Sequence, residues 1–321
     1  MTQPVTVYRW DDVGAPQVVD GRPSEYIEIF KKCLVEGYGT KQPLGWTIAE
    51  EVANPPFIAF QNNVASGGSG GTVMMEAPGN AIRETIRVQS ALDFAGQGSF
   101  SRAGYFFGFN AASTNPTYQP RNWILIGTAT AFYFFAFSPI RATYNYQGTT
   151  TCVAFFVGDI NSIYPNDTGR FTAMSGVKNA TSFSWSYNLN YKIVDTTPNN
   201  VAQLYPMDGS GTPSEVSLVH IFGGQAGSTL DDTFAAEPEI KMLSPLYLVS
   251  SSSFYNSPYL NDTTSPHCRG MLPGFFASQE AGYRDVGYQP FIKAIGSQQY
   301  MQLPSSHSNR CSCLWLNLEE W

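Results

Sequence analysis

The sequence predicts a mainly β fold with a minor α component: antiparallel sheets forming a sandwich-like core, with one N-terminal amphipathic helix packed on it. Three observations predict it. The block from Trp123 to Phe137 and its continuation from Cys152 to Asp159 are dense in aromatic and β-branched residues, broken by small residues every few positions, as buried strands are. Gly (29) and Pro (21) are plentiful while charged residues make up only 13%, which fits many short strands joined by turns. Only one stretch, beginning at Pro23, carries a convincing helical stripe.

Taken in order, Val5 to Trp10 alternates as a short strand, and a turn-rich segment with Gly14 and Pro16 follows. Pro23 suits the first turn of a helix, Glu25 and Glu28 favour its N-terminal end, and Lys31 and Lys32 favour its C-terminal end. Tyr26, Ile27, Phe30, Cys33 and Leu34 form its apolar stripe, Glu28 and Lys32 an i,i+4 pair, and Gly37 with Gly39 its stop; the stripe should pack on a sheet. Trp46 to Val52, Phe57 to Phe60 and Thr72 to Met75 read as strands. Residues 61–71, rich in Gly and Ser, read as a mobile hairpin tip between the last two.

Ala81 to Phe94 fits either a strand or a short helix, and Gly96 to Pro120 is turn-rich with a strand at Tyr105 to Phe109. The aromatic block then supplies two or three strands, and Thr149 to Gly158 another. Asp159 to Gly169 reads as a loop, with Tyr164-Pro165-Asn166-Asp167 as its turn signal. Ser182 to Tyr191 alternates strictly, Glu215 to Phe222 reads as a strand, and Ile240 to Ser250 as a strand whose Pro245 demands an edge or a bulge. Leu272 to Phe276 and Cys313 to Leu318 are strand-like to the end of the sequence.

The 321 residues can bury an ample core without disulfides, and the reading adopted is one large unit over 1–321. A formal charge of −7 without any Lys/Arg cluster argues against direct nucleic-acid binding. No basic, apolar leader opens the sequence, and Gly127, Thr128 and Thr130 interrupt the most apolar stretch before about 18 residues, so neither secretion nor membrane insertion is expected. Five cysteines fit no closed disulfide framework and point to folding in a reducing cytoplasm; whether Cys311 and Cys313 pair is open. Because globular chains carry about 25% charged residues, half of the usual surface charge is missing, which suits a protein covered by neighbours in a larger assembly.

Candidate chemistry is sparse. His307, Cys311 and Cys313, with His267 and Cys268 at a distance, offer soft ligands, but zinc sites normally use Cys-x-x-Cys, so the thiols read as part of a terminal strand and no metal is assigned. Asp11-Asp12, Asp159, Asp167, Asp231-Asp232 and Glu319-Glu320 offer carboxylates for a glycosidase, yet each stands at a turn or chain end, where such residues serve solvation. Nucleophile-elbow, Walker A and dinucleotide motifs are absent. Tyr118, Tyr144, Tyr146 and Tyr164 in loops could stack on sugar rings, or simply pack at a sheet margin. No catalytic, cofactor-binding or metal residue is assigned, and no cofactor.

Several landmarks together carry a resemblance. Tyr8-Arg9-Trp10-Asp11-Asp12-x-Gly14-Ala15-Pro16 is followed by Cys33-Leu34-Val35-x-Gly37-Tyr38-Gly39-x-Lys41 and Gly45-Trp46-Thr47. Later come Arg121-x-Trp123, Val157-Gly158-Asp159, Arg269-Gly270-Met271-Leu272-Pro273-Gly274 and Trp321. This ordered set resembles a family of uncharacterised virion structural proteins of tailed bacteriophages and prophages, over nearly the whole chain. The resemblance implies a non-enzymatic virion component, such as a capsid decoration, collar or tail/baseplate protein, assembled in the host bacterial cytoplasm. Its partners would be other virion proteins and copies of itself. A receptor- or glycan-binding tail protein touching a host-surface glycan is the alternative, and a virion-associated glycan hydrolase a third.

Overall fold

A computed structural model of the chain describes residues 2–111, 114–115, 119–138, 152–180, 189, 202–221, 239–250, 268–278, 291–303 and 314–321. In chain order, β1 (Thr6–Arg9) precedes the helix α1 (Pro23–Lys31), which continues as a π turn over Lys32–Glu36. Then come β2 (Thr47–Val52), β3 (Phe57–Gln61), β4 (Thr72–Glu76), β5 (Ile86–Gly96), β6 (Ser99–Phe109), β7 (Asn122–Gly127), β8 (Ala131–Phe137) and β9 (Cys152–Asp159). The rest are β10 (Asn161–Ser162), β11 (Phe171–Met174), β12 (Ala202–Leu204), β13 (Ser214–Val219), β14 (Leu243–Ser250), β15 (Cys268–Ser278), β16 (Ile292–Ile295), β17 (Gln298–Gln302) and β18 (Leu314–Asn317).

These strands form three antiparallel sheets, so the fold is mainly β as the composition predicts. The central sheet runs β1-β7-β8-β9-β11; a second runs β2-β3-β4-β5-β6; a third runs β12-β13-β14-β15-β18-β17-β16, with β10 on β15. Successive strand residues face opposite ways, and in the central sheet both faces are apolar. Trp123, Leu125, Phe132, Phe134, Phe155 and Val157 share one core with α1 and the inner face of the second sheet. Their alternates Ile124, Ile126, Tyr133, Phe135 and Phe156 share another with Leu246, Leu248, Leu272, Phe275 and Leu316 of the third sheet. The aromatic block is thus the middle layer, and its unbroken hydrophobicity comes from being covered twice.

The helix forms where the stripe places it. Glu25, in the first turn, reaches back to accept the N–H of the N-cap Arg22 and those of Asp20 and Gly21 before it, which fixes the entry of the chain into the helix. Phe30 lies on the middle layer, with ring centroids 4.7 Å from Phe134 and 6.0 Å from Phe132 and Phe155. Gly37, at φ 78°, ends the π turn with an N–H bond to Lys32 O.

Several expectations are refined. β3 and β4 pair across residues 61–71, but the tip between them is tied down rather than free. Asn63 N donates to Ala129 O, Asn62 Nδ2 to Thr130 O, and Ser69 to Asp159, because the loop docks against the end of the middle layer. Residues 86–96 are strand, and β6 fills half of the stretch taken as turns; its Ser99-Phe100-Ser101-Arg102 start shows no apolar alternation. Pro245 sits inside the third sheet at a slip in register between Pro245 and Tyr247, the bulge option of the two foreseen. Of Ser182 to Tyr191 only Leu189 is described, buried in the second core.

The two ends meet. Gln3 N donates to Trp321 O (2.8 Å) and Trp321 N to Gln3 O (3.1 Å). The Trp321 ring occupies the space where Gly274 has no Cβ and packs edge-on against Tyr133, 5.2 Å between centroids. Phe134 is fully buried among apolar side chains, where a carboxylate meets no compensating charge. Phe134→Asp should leave no folded protein by near-ultraviolet circular dichroism, and Phe134→Ala should cost about 3–5 kcal/mol in urea denaturation.

Candidate functional site

Two clusters of polar side chains stand out, and both are joints between segments distant in sequence. The first lies where β1 leaves the middle layer. Residues 10–17 form a strap that turns at Asp12, whose carboxylate accepts Arg9 N (2.8 Å) and the Tyr38 hydroxyl (2.8 Å). Lys41 Nζ donates to Val7 O (2.8 Å) and lies 3.8 Å from Asp12. Trp10 N donates to Trp123 O, and Trp123 Nε1 returns a bond to Pro16 O, both 3.0 Å. Tyr38 meets Trp123 edge-on at 6.2 Å and Tyr8 at 5.9 Å.

A glycine is required at the tightest point: a Cβ on Gly39, at φ 53°, would stand 2.2 Å from Val13 O. Beneath the joint, burial pushes the Cys33 thiol well above its ordinary value, and burial followed by the neighbouring Cys33 pushes the Tyr38 hydroxyl up. Neither is a nucleophile in this state; the hydroxyl works as a neutral donor to Asp12. Val13 caps the strap with 89% of its surface exposed. Beside it an open groove of about 360 Å³ runs between Gly14, Pro16 and Gln17 on one wall and Ser24, Glu25, Glu28 and Lys32 on the other.

The second cluster is buried where all three sheets meet. Asp159 ends β9 and accepts Ser69 N (2.8 Å) and Ser69 Oγ (2.5 Å) from the β3–β4 loop, and Arg170 Nε (3.0 Å). Arg170 also donates to Asp167 O and Gly67 O, both 2.9 Å. Asp167 and Arg269 form a two-pronged ion pair, 2.6 Å on each arm, joining the 163–169 loop to β15. Ser162 Oγ (2.7 Å) and Gly169 N (3.0 Å) complete the shell of Asp167.

Asp159 and Asp167 are therefore not the solvated turn residues expected from their position. Each has folded inward against a guanidinium, and nothing in the local sequence marks Arg170 or Arg269 as that partner. Burial pushes the Asp159 carboxyl up, against the opposing pull of Ser69 and Arg170. The folded chain therefore holds that proton more tightly than the unfolded one; the resulting stabilisation is complete below the unfolded value and lost as pH rises through the folded one.

The other candidates scatter. Asp11 pairs with Arg9 at the surface (2.8 Å), Glu319 accepts Gln299 N (3.0 Å), and Glu320 accepts Gln298 Nε2 (2.9 Å). Tyr164 is half-buried beside an exposed Ile163. Tyr118, Tyr144, Tyr146, Asp231, Asp232, His267, His307, Cys311 and Cys313 lie outside the described residues. Among the described residues, no three His, Cys, Asp or Glu side chains gather to hold a metal ion, and no helix is long and apolar enough to cross a membrane.

What these joints do chemically is hold backbone in place. Removing one partner of the Asp167–Arg269 pair strands a buried charge, so Asp167→Ala should cost about 3–5 kcal/mol in urea denaturation, while Asp167→Leu combined with Arg269→Met should recover most of that loss. No protein-family model and no curated protein matches the chain.

Proposed function

We propose that this chain is a structural component of a tailed-bacteriophage virion, an accessory capsid, collar or tail/baseplate protein that works through contacts with neighbouring particle proteins and with copies of itself, without a catalytic step. One observation carries the reading. Residues on which the resemblance rests gather at three internal joints, and their chemistry is spent inside the molecule. Tyr8, Asp12, Gly39, Lys41 and Trp123 build the strap joint; Asp159 and Arg269 lie in the buried seam; Gly274 receives Trp321. Residues used in this way fix a shape, which is what an assembly component contributes.

The surface supports the same reading. Charge is scarce, and Val13, Val19, Ile163 and Ile221 stand exposed, where burial against a partner gains about 25 cal/mol per Å² of apolar area. Ile163 with Tyr164 also offers a small apolar ledge of the kind on which a sugar ring stacks, which keeps glycan recognition as the second reading.

Purified particles should contain the chain at a fixed copy number by quantitative mass spectrometry; its absence from them overturns the proposal. Val13→Asp would bury an unpaired carboxylate in any contact the strap makes, and should lower incorporation by about tenfold or more while thermal unfolding stays unchanged. Tyr164→Ala should leave incorporation intact, and particles of that variant that assemble but no longer adsorb would move the function to glycan recognition.

A further inference from the structure

The β5–β6 hairpin does something the ladder alone does not predict. Across the second sheet, Phe57 is level with Glu76 and Arg87, and Glu50 with Ala59, Met74 and Gln89. The last rung joining β4 to β5 is Thr72 with Ala91, so residues 92–96 pair only with β6. A straight continuation would carry Phe94 and Gln97 away from the sheet. Instead the Phe94 ring stacks on Phe57 (6.4 Å, 17°), and Gln97 N donates to Glu50 Oε2 (2.6 Å). The hairpin has doubled back over the outer face of its own sheet, and Val52, Phe57, Ala59, Met74, Ala91 and Phe94 form a small core beneath it.

The bend has the marks of a hinge. Register slips by one residue between Gln89 and Ala91, and Gly104 lies so close to Ser90 Oγ that a Cβ there would stand 2.6 Å away. Arg102, inside β6, has φ 49°, a left-handed conformation that a residue with a side chain adopts only when its surroundings impose it. Arg102 also holds both carboxylate oxygens of Asp93 across the hairpin, and its third bond, to Gly209 O (2.6 Å), reaches outside the arm. The ion pair joins the two strands of the arm and travels with it, so straightening gives up the Gly209 bond and not the pair.

We propose that this arm is exchanged between copies of the chain: straightening at the hinge relieves the bend, and the arm of one copy covers the outer face of the second sheet of its neighbour. The occupant is fixed by the molecule itself, because the face of Val52, Phe57 and Met74 with Glu50 at its rim already has a complement, residues 91–97, and a second copy carries the same one. Exchange replaces each contact by its twin, so it changes connectivity without adding a new surface. The inference rests on the reading that copies of this chain pack against one another, and it names the element through which they do so.

The test uses the full chain with p-benzoyl-phenylalanine in place of Gln97, an exposed turn position, mixed in equal amounts with unsubstituted chain uniformly labelled with ¹⁵N. After association at high concentration and irradiation, mass spectrometry reads whether the probe joins a light or a heavy peptide containing Glu50. Exchange predicts that about half of the cross-links in the associated fraction reach heavy peptide, as random pairing of equal populations requires. Copies that associate while every cross-link stays within the light chain overturn the exchange and leave association standing; copies that never associate overturn both. The same probe in place of Phe100, a conservative aromatic change, repeats the measurement should the Gln97 variant not fold.

Discussion

All seven residues of β8, Ala131–Phe137, are buried, because their two alternating sets of side chains face two different cores. A sheet that is apolar on both faces cannot stand at a surface, so the rest of the molecule is obliged to supply two covers. One is α1 with the second sheet; the other is the third sheet. The order of elements along the chain follows this need. The helix and the second sheet precede β7, β8 and β9, and the strands of the third sheet follow them, so the middle of the sequence becomes the middle of the fold.

Two covers on one layer create a seam where three sheets end together, and backbone groups there need partners that no ladder provides. Asp159, Arg170, Asp167 and Arg269 fill that role with charge-assisted bonds to loops from each layer. The strap joint does the same at the other junction with neutral hydroxyls, one carboxylate and two glycines in left-handed conformation. Asp159, Asp167 and Arg269, the fully buried charged side chains among the described residues, are thus all committed to internal fastening.

How much of this was legible depended on whether a residue's role is set by its neighbours in sequence or in space. The helix was legible to its last turn, since Pro23, Glu25, the stripe and Gly37 all act within a few residues of one another. The strands of the middle layer were legible as hydrophobic runs, and Pro245 announced its bulge. β11, β12 and β16 were missed because each is only three or four residues long and is held by its neighbours rather than by its own pattern. The fastening residues were not legible as such: Asp159 and Asp167 sit in turn-like text, and the guanidinium that draws Asp167 inward is 102 residues away. The tied-down loop at 61–71 was hidden for the same reason, its Gly-rich composition describing the chain alone and not the wall it rests on.

The pairing of Gln3 with Trp321 has a topological consequence. Gln3 and Trp321 are joined by two backbone bonds and Pro4 bridges Glu320, so these two stretches of backbone lie side by side. A unit built this way can be spliced into a surface loop of a host protein with its two ends side by side, so the host backbone need open only by the width of one β-bridge. Chain added beyond either residue departs from the same spot, beside Tyr133 and the Trp321 ring.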